Sequence, residues 1–86
     1  MNINQLILIV KKKVKDNISI DDINIEDKTF LHKKHKSHQK EKFHLKLIIS
    51  SKDLKRMNRI ESSKKIYKIL DDELKKNIHS IQILIN

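Results

Sequence analysis

Between Phe43 and Ile85 the chain leaves almost no slack, and this stretch most limits what it can fold into. An apolar alternation, a helical stripe and a second apolar run follow one another with short joins. Phe43, Leu45, Leu47 and Ile49 alternate with His44, Lys46, Ile48 and Ser50, the period of a strand. Ser51-Lys52-Asp53 then makes a turn that can start a short helical piece. From about Asn58 to Lys76, Ile60, Ile66, Tyr67, Ile69, Leu70 and Leu74 form a helical stripe, with Glu61, Lys64, Lys65, Lys68, Asp71, Asp72 and Lys75 outside it. Asn77 can end that helix, and Ile78 to Ile85 read as a closing strand. If the two strands lie parallel in one sheet, the crossover between them should be right-handed.

Upstream, Ile3, Leu6, Ile7, Val10 and Val14 fall on one helical face, and Lys11, Lys12 and Lys15 lie off it. This first helix should end near Asp16-Asn17, where Asn17 can take the left-handed cap usually given to glycine. Ile18 and Ile20, then Ile23 and Ile25 after a shift of phase, alternate with polar residues as a half-buried strand does. Residues 27–42 are mostly Lys, His, Ser and Gln and read as a long exposed loop, a feature that is commonly functional or disordered. The expected order is helix, strand, strand, helix, strand: one small α+β domain over 1–86, with no internal repeat.

Eighty-six residues lie near the lower limit for a self-sufficient core. The absence of Cys excludes disulfides, a thiolate nucleophile and a Cys-type zinc knuckle, so any soft-metal site must use imidazole. The longest apolar run, Leu6 to Val10, is far short of the roughly 20 residues that span a bilayer. Lys11, Lys12 and Lys13 follow it rather than precede it, the wrong polarity for a signal peptide. A soluble cytoplasmic protein with no membrane partner is expected. The net charge of +9 raises nucleic acid or an acidic partner. However, Lys, Ile and Asn all have A/T-rich codons, so the lysine excess can equally record genome composition.

Five histidines carry most of the available chemistry. His79 opens the last strand and could be a metal ligand or a buried polar residue; a lone histidine there is more often the latter. His32, His35 and His38 are spaced three apart in the loop, with His44 further on. Neutral imidazole ligates zinc, copper, nickel or iron. By itself the cluster reads as a solvated polar loop, since no carboxylate except Asp27 is placed to orient the rings. No Gly-rich phosphate loop or serine elbow is possible without glycine, and the adjacent pairs Asp21-Asp22 and Asp71-Asp72 diverge, so no enzyme is expected. Arg56, Arg59, Lys64, Lys65 and Lys68 surround the start of the second long helix, where free N–H groups and clustered cations attract phosphate. The aromatics Phe30, Phe43 and Tyr67 offer little base stacking, since two of them should pack in the core.

Taken together, Asp27-Lys28-Thr29-Phe30-Leu31-His32, His44-Leu45-Lys46-Leu47-Ile48-Ile49-Ser50-Ser51, Ile66-Tyr67, Leu74 and Ile78-His79-Ser80-Ile81 resemble the BolA family over nearly the whole chain. The resemblance implies a class II KH-like fold lacking the KH Gly-x-x-Gly loop, with a three-stranded mixed sheet and helices on one face. It also implies a partner, a monothiol glutaredoxin, with which members form a heterodimer that shares a [2Fe-2S] cluster. The glutaredoxin brings its cysteine and a glutathione thiol. The BolA-like chain brings the last-strand histidine, here His79, and a loop residue, here His32 with His35 as the fallback. The isolated apo chain would hold no cofactor and would be a monomer or weak dimer. Some members are transcriptional regulators in stress responses that bind DNA through the second-helix region.

The chain departs from the family pattern at three places. Ser62-Ser63-Lys64 replaces the usual Arg-His-Arg, which weakens the case for nucleic-acid contact. Lys34 and Arg56 stand where glycines are usual, so those turns should carry a conformational cost.

Overall fold

A computed structural model describes residues 1–29 and 42–86. Along the chain these form α1 (Ile3–Asn17), β1 (Asp22–Asp27), β2 (Phe43–Ser50), α2 (Lys52–Lys55), α3 (Arg59–Ile69), α4 (Asp71–Lys76) and β3 (Ile78–Ile85). Helix α1 starts at a capping box. Asn2 Oδ1 accepts from the Gln5 N–H at 2.8 Å, and Gln5 Oε1 accepts from the Asn2 N–H at 3.1 Å. Its buried stripe is Leu6, Val10 and Val14, with Ile3 and Ile7 packed at the margin, as the periodicity predicts.

The helix ends differently from expectation. Asn17 remains helical, its side chain donating to the Lys13 carbonyl, and Ile18 leaves in an extended conformation. No described residue has a positive φ. A chain without glycine therefore closes its described turns with ordinary backbone.

The sheet has the order β1-β2-β3, with β1 antiparallel and β3 parallel to the central β2. Cross-strand rows Ile23–Ile49–Ile85 and Ile25–Leu47–Ile83 line one face. Leu6, Val10 and Val14 of α1 and Ile66 and Leu70 of the α3–α4 segment complete the core against them. Ile18 and Ile20 do not belong to β1, which begins at Asp22. Positions 18 and 20 have the opposite parity to 23 and 25, so one strand could not turn all four inward. Ile18 instead closes the core at the end of α1, and the Ser51 hydroxyl donates to the Ser19 carbonyl at 2.8 Å. At the other end β1 runs through Asp27, so the connecting loop starts later than its composition suggests.

Ser51 caps α2 by accepting from the Leu54 N–H, as its position in the turn implies. The expected single helix from 58 to 76 is two helices. Leu70, at φ −98° and ψ 19°, breaks the path, and the acidic run Asp71-Asp72-Glu73 forms the first turn of α4, where its charge complements the helix dipole. The inward face of α3 is Ser62, Ile66 and Leu70, so Ile60 (67% exposed) and Tyr67 (44% exposed) point outward, contrary to the predicted stripe. Of the aromatics, Phe43 is half-buried, Tyr67 is exposed and Phe30 lies outside the described residues.

Glu73 is buried and takes both of its carboxylate oxygens to Lys13 Nζ, at 2.9 and 2.8 Å, tying α4 to α1. That hydrogen bond holds the Lys13 ammonium above its ordinary pKa, with desolvation pulling the other way. No helix among the described residues is long and apolar enough to cross a membrane.

Candidate functional site

The site forms where β2 and β3 begin. Phe43 pairs with Ile78 and His44 with Ser80, so β3 carries one residue more than β2 across that step. The extra residue is His79, standing on a bulge-like irregularity. Ile78 points into the core and Ile81 returns to it, while His79 and Ser80 are both exposed. The bulge thus presents an imidazole to solvent without disturbing the apolar positions on either side.

His44, from the neighbouring strand, is 8% exposed and faces it. The two ring centroids lie 5.0 Å apart at an interplanar angle of 56°. His44 Nδ1 shares a hydrogen bond of 2.5 Å with Ser80 Oγ, which fixes the His44 ring against its own cross-strand partner. A small cavity of about 220 Å³ adjoins this corner, lined among others by Lys28, His44, Lys46, Ser80 and Gln82.

The motif Asp27-Lys28-Thr29 finishes the corner. Asp27 Oδ1 accepts from both the N–H and the hydroxyl of Thr29, a turn in which the side chain replaces a backbone acceptor. Thr29 Oγ1 in turn accepts from the His44 N–H at 3.2 Å, and the Lys28 N–H donates to the His44 carbonyl at 2.7 Å. The strand-to-loop junction is therefore pinned to the backbone of His44, beside His79. The loop candidates His32 and His35, and His38 with them, lie outside the described residues. Among the described residues no three His, Asp or Glu side chains come together as a metal site. His79 offers one imidazole nitrogen of the kind that ligates iron, zinc or copper, and any further ligands would come from outside the described residues.

The partnership of His44 with His79 went unnoticed in the sequence, although a signal for it exists. Along the last strand the isoleucines run 78, 81, 83, 85: a step of three and then steps of two, the mark of one inserted residue.

The basic candidates form a separate surface. Arg56, Arg59, Lys64 and Lys68 are exposed and Lys65 is half-buried. Arg56 pairs loosely with Asp53 at 3.8 Å. The start of α3 is less open to phosphate than expected, because Asn58 Oδ1 takes the Glu61 N–H and the Glu61 carboxylate accepts from Asn58 Nδ2. Arg56 itself is right-handed, at φ −73° and ψ −20°, so replacing the usual glycine there carries no strain. Lys34, the other glycine replacement, lies outside the described residues.

Comparison with known proteins adds to this geometry. A family model described as BolA-like protein matches residues 14–86. Among solved structures the chain is similar to the BolA domain of SufE1 from Arabidopsis thaliana, with a TM-score of 0.77 and 24% identity over 92% of this chain and 87% of that one. BolA1 from Arabidopsis thaliana gives a TM-score of 0.77 and 23% identity over the same shares. BolA1 from Mus musculus gives 0.72 and 14% identity, covering 90% of this chain and 60% of that one. At these identities the structural matches establish the fold, a small α+β domain with a three-stranded mixed sheet. No curated protein sequence matches.

Proposed function

Because this chain belongs to the BolA-like protein family, we propose that it is a non-enzymatic binding protein of iron–sulfur trafficking or iron-dependent regulation. It pairs with a monothiol glutaredoxin and shares a [2Fe-2S] cluster with it. The observation that carries this reading is His79, an exposed imidazole raised on an extra residue at the open corner of the sheet. A shared cluster needs a ligand that a second protein can reach, and His79 is built in that way.

When bound, such a cluster supplies redox-active iron, and imidazole in place of thiolate raises its potential. The chain's own residues do the positioning. His44, held by Ser80, backs the His79 ring and narrows the directions it can take. The Asp27–Thr29 turn anchors the start of the loop at the same corner. His32 follows Thr29 by three residues, a reach of at most about 11 Å, and His35 follows it by six, about twice that. This favours His32 as the second ligand, with the glutaredoxin cysteine and glutathione completing the set. A cytoplasmic setting fits a chain that has no cysteine.

The test is anaerobic co-expression with a monothiol glutaredoxin, followed by visible absorption and circular dichroism. The wild-type chain should give a [2Fe-2S] spectrum distinct from that of the glutaredoxin homodimer. His79→Ala should keep the far-ultraviolet spectrum of the folded chain and lose the distinct cluster signal; a cluster spectrum unchanged by that substitution refutes the assignment. His32→Ala should have a larger effect than His35→Ala.

A second reading, DNA binding by a transcriptional regulator, is favoured by one observation. Arg59, Lys64 and Lys68 are exposed and pair with no carboxylate among the described residues. That reading requires duplex affinity that falls with salt and with Lys64→Glu or Lys68→Glu. Affinity indifferent to both substitutions removes it.

A further inference from the structure

Two strands end the sheet, and they are defended very differently. Strand β1 carries acidic residues along its length and at its approach, namely Asp21, Asp22, Glu26 and Asp27. Charges of this kind are a common guard on an exposed edge. Strand β3 has none. In a chain that is 36% charged, the ten residues Asn77 to Asn86 contain no Asp, Glu, Lys or Arg. They form a long, apolar strand that pairs on one side only, with β2.

The open hydrogen-bonding groups can be identified. The Asn86 N–H donates to the Ile49 carbonyl, so residue 86 faces β2, and in a parallel ladder so do residues 84 and 82. The N–H and C=O groups of Ile81, Ile83 and Ile85 therefore face away from the sheet. Among the described residues no strand pairs with them.

A groove of about 350 Å³ opens alongside the C-terminal half of this edge. Ile83, Leu84 and Ile85 line it from β3, with Met57 from the α2–α3 turn, and Lys55 and Arg59 bring cations to its wall. Leu84 is 39% exposed there. Neither Lys55 nor Arg59 has a carboxylate partner among the described residues. A strand edge beside an apolar groove is the arrangement by which some folds take up an extended peptide as an extra strand.

We propose that β3 is a docking edge for an extended segment of another protein, one with alternating apolar side chains and an acidic residue near one end. The segment pairs with the backbone of Ile81, Ile83 and Ile85, places an apolar side chain in the groove, and sets its carboxylate against Lys55 and Arg59. Charge decides between this occupant and a second copy of the chain. Two copies joined through β3 would bring together two molecules of net charge +9, whereas an acidic segment is drawn in. The proposal does not depend on cluster binding at His79.

The experiment pans a random twelve-residue peptide library displayed on phage against the full chain, then binds the enriched peptides as synthetic probes. Enriched sequences should alternate β-branched residues and carry Asp or Glu near one end. Binding should slow hydrogen exchange at the Ile81, Ile83 and Ile85 amides by at least about tenfold, with little change at Gln82 and Leu84, which already face β2. Lys55→Glu and Gln82→Glu should each weaken the probe, the first by about tenfold or more, while Gln82→Lys should not weaken it. No enrichment, protection at other amides, or indifference to Lys55→Glu overturns the proposal. It is also overturned if the chain alone dimerises with concentration, protects the same three amides, and is weakened by both Gln82 substitutions, because the occupant is then a second copy.

Discussion

The ion pair between Lys13 and Glu73 provides a sharp test of how this small core is held. Glu73 is 8% exposed, and its two oxygens both meet Lys13 Nζ within 2.9 Å, joining helices sixty residues apart in sequence. Exposed pairs contribute about 0–1 kcal/mol, while stranding one charge of a fully buried pair costs about 3–5 kcal/mol. Here the carboxylate is buried but the lysine side chain is 36% exposed, so solvent screens part of the interaction. A coupling of about 1–2 kcal/mol follows, between those limits. Urea denaturation of Lys13→Met, Glu73→Gln and the double variant would measure it as a double-mutant cycle. Lys13→Met should be the most damaging single change, because it leaves a buried carboxylate without its cation, and the second substitution should recover part of the loss. Because the folded-state pKa of Lys13 is raised above its ordinary 10.5, its stabilisation is complete below that value. It is lost as pH rises through the higher folded value. The wild type should therefore lose stability above about pH 10.5 more steeply than Lys13→Met. A coupling below about 0.3 kcal/mol, or identical alkaline profiles, would mean the pair behaves as a solvated surface contact and the reasoning is wrong.

Leu47 is fully buried at the centre of the middle strand, so Leu47→Ala should cost about 2–5 kcal/mol by urea denaturation; a loss below about 1 kcal/mol would mean the core collapses onto the gap. Arg56→Gly, which restores the residue usual in the family, should lower stability by about 0.5–1 kcal/mol, because a right-handed position gains nothing from glycine while the unfolded chain gains freedom. A rise in melting temperature on that change would show that the turn is strained after all.

The elements legible in the sequence were those with one clear period. The stripe Leu6, Val10, Val14 gave α1, and the odd-numbered alternation from Phe43 to Ile49 gave β2, because each period matches a single buried face. Three features depended on tertiary structure. Ile18 and Ile20 looked like strand residues, yet their parity conflicts with Ile23 and Ile25, and pairing with β2 selected the latter pair. The break at Leu70 is invisible to a helical stripe that continues through it; the acidic first turn at Asp71 was the only local hint. Glycine-dependent reasoning misled at Asn17 and Arg56, since neither position takes a left-handed conformation. For the candidate site, His79 stood out by its place in the strand, whereas His44 did not. Residues thirty-five apart in sequence become neighbours only through parallel pairing and its one-residue slip.

That slip also explains how a small protein can hold a histidine outside its core. In an unbroken alternation starting from Ile78, His79 would face away from the core, Ser80 toward it and Ile81 away again. The inserted residue lets Ile78 and Ile81 both turn inward while His79 stands outside the pairing. The imidazole thereby makes little contribution to the buried surface, and substituting it should change binding without changing the core. His44 is the opposite case. It is buried, bonded to Ser80 through its ring and to Thr29 and Lys28 through its backbone. Removing its side chain would disturb the packing at the corner and the orientation of His79 together. On the proposed function, comparing the two histidines separates a group that contacts a ligand from a group that positions it: only the first should leave urea stability intact.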